Sequence, residues 1–114
     1  MLSGRIDELS NLKKTRAYFF SGTKDFWVTS NVSALAAEFY GHYDADVKTD
    51  FSLSAGHVLP TKSFGVKCSK TSSPYLGKCG VDGVSAALAH ILPDIGLEAR
   101  RVTEVNSSNL YSFY

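Results

Sequence analysis

A strand, a helix and a second strand follow one another within residues 17–53, and this succession constrains the fold of the 114-residue chain more than any other feature. Ala17-Tyr18-Phe19-Phe20 is a short unbroken apolar run ended by Ser21-Gly22, the pattern of a central strand buried on both faces. From Thr29 to about Tyr43, the residues Val32, Leu35, Ala36, Phe39, Tyr40 and Tyr43 recur at helical spacing and predict an amphipathic helix, with Thr29, Ser30 and Asn31 offering N-caps. Val47, Thr49, Phe51 and Leu53 then alternate with Lys48, Asp50 and Ser52, as in a strand with one more exposed face. Such a unit joins parallel strands by a right-handed crossover, so the expected fold class is α/β. Two parallel strands do not make a stable sheet alone, because both faces need cover and the outer backbone groups need partners. Neighbouring strands are expected from elsewhere, and the isolated chain is expected to be marginal, with an aggregation-prone apolar edge around residues 17–20.

Residues 54–80, rich in Gly, Pro, Ser and Thr, read as one long irregular loop of the kind that usually carries function. Val84, Ala87, Leu88 and Ile91 predict a second helix, capped by Asp82 and stopped by Pro93. Val102, Val105, Leu110, Phe113 and Tyr114 suggest an extended tail. A hydrophobic share of 44% and a charged share of 20% fit one soluble globular domain. Twelve Lys and Arg against eleven Asp and Glu leave a net charge of +1, and the pairs Lys13-Lys14 and Arg100-Arg101 are too small to track phosphates, which argues against nucleic acid as a partner. No apolar run approaches the ~20 residues of a membrane helix. Residues 1–8 lack the cationic start and apolar stretch of a signal peptide, as expected of a cytosolic chain or of one whose true beginning lies upstream.

Two polar residues fall where α/β sheets keep their working groups, beyond the carboxyl ends of the strands. Asp25 closes Gly22-Thr23-Lys24-Asp25 after the first strand, and His57 lies in Gly56-His57-Val58-Leu59-Pro60-Thr61 after the second. At one sheet edge they can meet as the orienting half of a nucleophilic triad, the carboxylate fixing the imidazole that takes a proton from Ser or Cys. By position alone Asp25 is more often a turn or capping residue, and His57 is equally a plain loop histidine. The chain has fifteen Ser but no Gly-x-Ser-x-Gly; Ser85, in Gly83-Val84-Ser85-Ala86-Ala87, follows no strand, comes after His57 and reads as structural. Cys68 and Cys79 can close one disulfide, contributing about 2–3 kcal/mol, and two cysteines without clustered His argue against zinc. No metal or cofactor is called for. The triplets starting at Asn31 and Asn106 match the glycosylation acceptor pattern and, with the cysteines, lean toward an oxidising setting. His42 and His90 sit near helix ends, where capping or solvation is the better reading, and Phe26 and Trp27 are candidates for substrate contact, with core burial expected of at least one.

The blocks Gly4-Arg5-Ile6-Asp7 with Asn11-Leu12, Tyr18-Phe19-Phe20-Ser21-Gly22-Thr23-Lys24-Asp25 with Val28, Ala55-Gly56-His57-Val58-Leu59-Pro60-Thr61, and Cys68 with Ser72-Ser73-Pro74-Tyr75-Leu76-Gly77-Lys78-Cys79-Gly80-Val81-Asp82-Gly83 cover most of the chain. In that order, with Leu110-Tyr111-Ser112-Phe113 behind them, they resemble the C-terminal part of the extracellular, esterase-like poly(3-hydroxybutyrate) depolymerases. The resemblance implies a C-terminal fragment of an α/β-hydrolase, made of a parallel βαβ unit, a long disulfide loop, a helix and a tail. It implies Asp25 as triad acid, His57 as general base and a disulfide between Cys68 and Cys79. The family's nucleophile elbow and oxyanion hole have no counterpart here, so residues 1–114 are expected to form a partial domain lacking that half. The expected activity, in the full-length parent, is hydrolysis of poly(3-hydroxybutyrate) or short hydroxyalkanoate esters through an acyl-serine, with the chain alone inactive and the parent extracellular. Two alternatives remain: a non-catalytic binding module, and part of a related feruloyl or acetyl esterase acting on carbohydrate esters.

Overall fold

The computed structural model describes residues 6–95 together with residues 108 and 111. The expected tail, apart from Ser108 and Tyr111, lies outside the described residues, as do Asn106 and Ser107 of the second acceptor triplet and Gly4 and Arg5. After a 3-10 turn at Leu9–Leu12 come β1 (Arg16–Phe20), α1 (Ser30–His42) and β2 (Asp46–Asp50). The two strands are parallel, with Ala17 beside Val47 and Phe19 beside Thr49. Three short strands follow, β3 (Leu59–Thr61), β4 (Val66–Lys67) and β5 (Leu76–Lys78), and then α2 (Gly83–Ile91). They form a second parallel sheet ordered β3-β5-β4. Helix α1 packs on both β1 and β2, while α2 packs on β1 and β3.

Residues 54–80 are therefore not the single irregular loop that composition suggests. Strands of two or three residues are too short to show a period of two, so nothing in the local pattern distinguishes them from loop. Strand β2 also ends three residues earlier than its alternation predicts. The Asp50 carboxylate accepts the Ser52 N–H at 3.2 Å and the Ser52 hydroxyl at 3.0 Å, an Asx turn that bends the chain out of the ladder.

Helix α1 turns its small residues to the sheet. Ala37 is buried, with Ser33, Ala36 and Tyr40 half-buried, and the Tyr40 ring meets Phe19 edge-on at 5.4 Å. Val32, Leu35 and Phe39 of the expected core stripe instead face outward, 56%, 66% and 47% exposed. A two-stranded sheet is too narrow to cover the wide apolar stripe of a helix, and the covered part is the one that carries Ala36 and Ala37. For the same reason β1 is half-buried along residues 17–20 rather than sealed on both faces. Thr29 holds the N-cap position of α1 without a side-chain cap, whereas Asp82 caps α2 by accepting the Ser85 N–H at 2.9 Å. His90 is more than a helix-end residue: its Nε2 lies 3.0 Å from the Asp46 carbonyl oxygen and ties α2 to the start of β2.

The small core of Ala37, Ala55 and Val58 extends toward the carboxyl end of the first sheet. There the segments after β1 and β2 stay joined past the last ladder pair: Ser21 N–H to Asp50 O at 3.2 Å, Thr23 N–H to Leu53 O at 2.8 Å, and Lys24 N–H to Ala55 O at 2.9 Å. Gly22 permits this closeness, since a Cβ there would stand 2.0 Å from the Ala55 carbonyl oxygen. Gly22→Ala is expected to destabilise the chain by about 1–3 kcal/mol, because a backbone atom must move to admit the methyl. Urea denaturation checks this, and a midpoint unchanged from the parent sequence would contradict the close approach.

Candidate active site

Asp25 is held by the turn that it closes. Its N–H bonds to the Gly22 carbonyl at 3.0 Å, and its Oδ1 accepts the N–H groups of Trp27 at 3.0 Å and Val28 at 2.9 Å. Ser21, also buried, donates its hydroxyl to the Val28 carbonyl at 3.1 Å and closes the same turn from the other side. Asp25 is only 9% exposed, so its orientation is set by bonds that leave Oδ2 as the outward oxygen.

That oxygen lies 2.9 Å from Nδ1 of His57, thirty-two residues away in sequence. The structure thus brings together the two residues singled out at the sheet edge. Burial, the strongest single influence on the Asp25 carboxyl, pushes its pKa up, but the Val28 N–H, the His57 ring, the Trp27 N–H and the charge His57 can carry together hold it below the usual carboxylate range. A carboxylate only accepts hydrogen bonds, so Nδ1 must be the donor, and the neutral ring carries its lone pair on Nε2. The His57 side chain keeps 42% of its surface exposed, enough to reach a substrate.

A cavity of about 360 Å³ opens beside the pair, lined by Phe20, Val28, Val58, Leu59 and Tyr75 together with Ser33 of α1. Trp27 lies over the imidazole with ring centres 5.4 Å apart and reaches Tyr75 at 6.1 Å. Contrary to the expected burial of at least one of the two, Phe26 is 81% and Trp27 66% exposed. The Asp25 turn throws both rings outward, and neither reaches the core. Ser33 and Tyr75 are not marked as site residues by any spacing in the sequence; the fold alone places them here. Ser85 is in α2, engaged with the Asp82 cap, and His42 ends α1 against Tyr43.

Cys68 and Cys79 are joined in a disulfide. It closes a loop whose backbone touches the His57 segment, with Gly56 N–H bonded to Cys68 O at 2.8 Å and Leu59 N–H to Tyr75 O at 2.8 Å. Among the described residues no cluster of His, Cys, Asp and Glu could hold a metal, and no helix is long and apolar enough to cross a membrane.

The lowered pKa of Asp25 sets a pH dependence. Its charged form is favoured in the folded state relative to an ordinary carboxyl near 3.8, so the stability it contributes is present above that value and is lost as pH falls through the lower folded value. Asp25→Asn keeps the acceptor for Trp27 and Val28 but removes the charge. Its destabilisation is expected to be full near pH 7 and to fade as pH falls past the ordinary carboxyl value and through the lower folded one, read as the difference in urea midpoints. A difference constant with pH would show that the charge is not what holds the pair.

No protein-family model matches the chain. It is 30% identical over 112 residues to a poly(3-hydroxybutyrate) depolymerase of Delftia acidovorans, covering 96% of this chain and 22% of that protein. It is 30% identical over 111 residues to a polyhydroxybutyrate depolymerase of Talaromyces funiculosus, covering 93% of this chain and 32% of that one. Among solved structures it superimposes on a single-substitution PHB depolymerase variant complexed with an R3HB trimer, with a TM-score of 0.68 and 29% identity over 79% of this chain and 30% of that chain. The PHB depolymerase of Penicillium funiculosum gives 0.66 and 28%, over 77% and 29%. The chain therefore spans about a fifth to a third of the length of the proteins it matches. Over that shared span, the chain is a homologue of the poly(3-hydroxybutyrate) depolymerases in sequence and in α/β-hydrolase fold.

Proposed function

We propose that this chain carries the acid and the general base of a serine esterase acting on poly(3-hydroxybutyrate) or short hydroxyalkanoate esters. The observation that carries the reading is the 2.9 Å contact between His57 Nδ1 and an Asp25 carboxylate already fixed by two backbone N–H groups. In this reading Nε2 takes the proton of a serine hydroxyl as its oxygen attacks the ester carbonyl, and returns it to the departing alcohol oxygen. Water then follows the same route to release the acid. Asp25 stays ionised throughout, orienting the ring and stabilising the imidazolium. The apolar lining from Phe20, Val28 and Leu59 suits a short aliphatic acyl or alkoxy unit.

The attacking serine and the oxyanion donors belong, in this proposal, to a larger α/β-hydrolase unit of which residues 1–114 form the acid–histidine portion. The coverage of the relatives and the uncovered apolar residues of α1 support that division. The disulfide suits an oxidising compartment, and the whole protein is proposed to act outside the cell.

The test assays p-nitrophenyl butyrate and polymer hydrolysis with the chain alone and with the chain grafted in place of the matching segment of the Talaromyces depolymerase. The chain alone is expected to be inactive and the graft active. In the graft, His57→Ala should lower kcat by about 10⁴–10⁶-fold and Asp25→Asn by about 10⁴-fold. An active graft indifferent to His57→Ala would overturn the assignment. Turnover by the chain alone that Ser33→Ala removes would instead place the nucleophile on α1.

A further inference from the structure

His57 is gripped from behind by the disulfide loop. Within four residues, three amides of its segment are bonded to that loop: Gly56 N–H to Cys68 O at 2.8 Å, His57 N–H to Thr71 Oγ1 at 2.8 Å and Leu59 N–H to Tyr75 O at 2.8 Å. The middle bond is the one made to a side chain, and it falls on the residue that carries the imidazole. The two backbones are in close contact there: a Cβ on Gly56 would stand 2.8 Å from Thr71 Oγ1 and 3.1 Å from the Ser69 carbonyl oxygen. The loop has its own reasons to keep Thr71 in place, since Cys68 is covalently tied to Cys79 and the Lys70 N–H closes a turn on Lys67 O at 2.8 Å.

We infer that Thr71 is a positioning residue for His57, its hydroxyl fixing the backbone of the histidine whose ring Asp25 orients. The inference rests on the reading of His57 as general base and deepens it. Asp25 bonds one edge of a ring that can swing about two side-chain torsions, so it sets the ring only if the backbone bearing the ring is itself fixed. Freed at its amide, the His57 backbone can shift and draw Nδ1 away from Oδ2, so that the ring loses both the bond that selects its tautomer and the direction of Nε2. A misplacement of about 1 Å at such a group costs about 10²-fold in rate.

The experiment uses the chain grafted into the Talaromyces depolymerase, labelled with ¹⁵N, and needs no turnover. Two signals are read by NMR: solvent exchange of the His57 amide and the tautomer of its imidazole. Thr71→Val keeps the shape and removes the acceptor; the His57 amide should exchange at least about tenfold faster and the Nδ1–H tautomer should lose its dominance, with Thr71→Ser restoring both. A purely structural Thr71 would lower the melting temperature of Thr71→Val and leave the tautomer unchanged, and that result overturns the inference. A His57 amide that exchanges freely in the unaltered graft while the seam amides of Thr23 and Lys24 stay protected overturns it too, and this measurement stands even where Thr71→Val fails to fold. Asp25→Asn separates the two readings. A tautomer indifferent to Asp25→Asn removes the acid–base pair itself, whereas one that responds to Asp25→Asn but not to Thr71→Val removes only Thr71.

Discussion

Everything at the site depends on a backbone seam that continues after the ladder between β1 and β2 has ended. Thr23 and Lys24 donate to Leu53 and Ala55, so the two segments leaving the strands run together rather than splaying apart. Parallel strands bring two chain exits to the same edge, and the seam converts that shared edge into contact. Gly22 against the fully buried Ala55 is its tightest point. Residues 25 and 57, each only a few positions further along, have little freedom left in which to miss one another.

The site is stabilised by satisfied polar groups more than by a large apolar core. Burying a hydroxyl or a carboxylate is unfavourable unless its bonds to water are replaced. Among the described residues Ser21 and Asp25 are the buried polar ones, and both are bonded within the turn they help to form. Among the described residues no buried side-chain nitrogen or oxygen lacks a partner. On the other flank the disulfide loop and the small second sheet perform the same service for His57 through backbone amides. Two frameworks, one from each sheet, thus meet at the imidazole. In contrast, Val32, Leu35 and Phe39 on α1 and the rings of Phe26 and Trp27 lie exposed.

The strand, helix and strand within residues 17–53 were legible because an unbroken apolar run, a helical stripe and an alternation each show in the local pattern, and Asp82 was legible as a cap because its bond is local. The three strands of residues 59–78 were not, because two or three residues cannot show an alternation and their partners are set by contacts with one another. The burial of α1 was misread for a related reason. Periodicity identifies an apolar stripe, but which part of it is covered depends on how wide the underlying sheet is. Phe26 and Trp27 show the same limit, since hydrophobicity favours the core while the Asp25 turn directs both rings outward.

The sequence by itself determined the α/β class, the parallel pair and the placement of Asp25 and His57 beyond the strand ends, because those follow from local period and chain order. Only the tertiary structure decided that the two side chains meet at 2.9 Å, that Trp27 covers the ring, and that Thr71 and the disulfide loop hold its backbone. These are contacts between residues eleven to thirty-two positions apart. Their geometry is fixed by backbone hydrogen bonds that no residue pattern spells out.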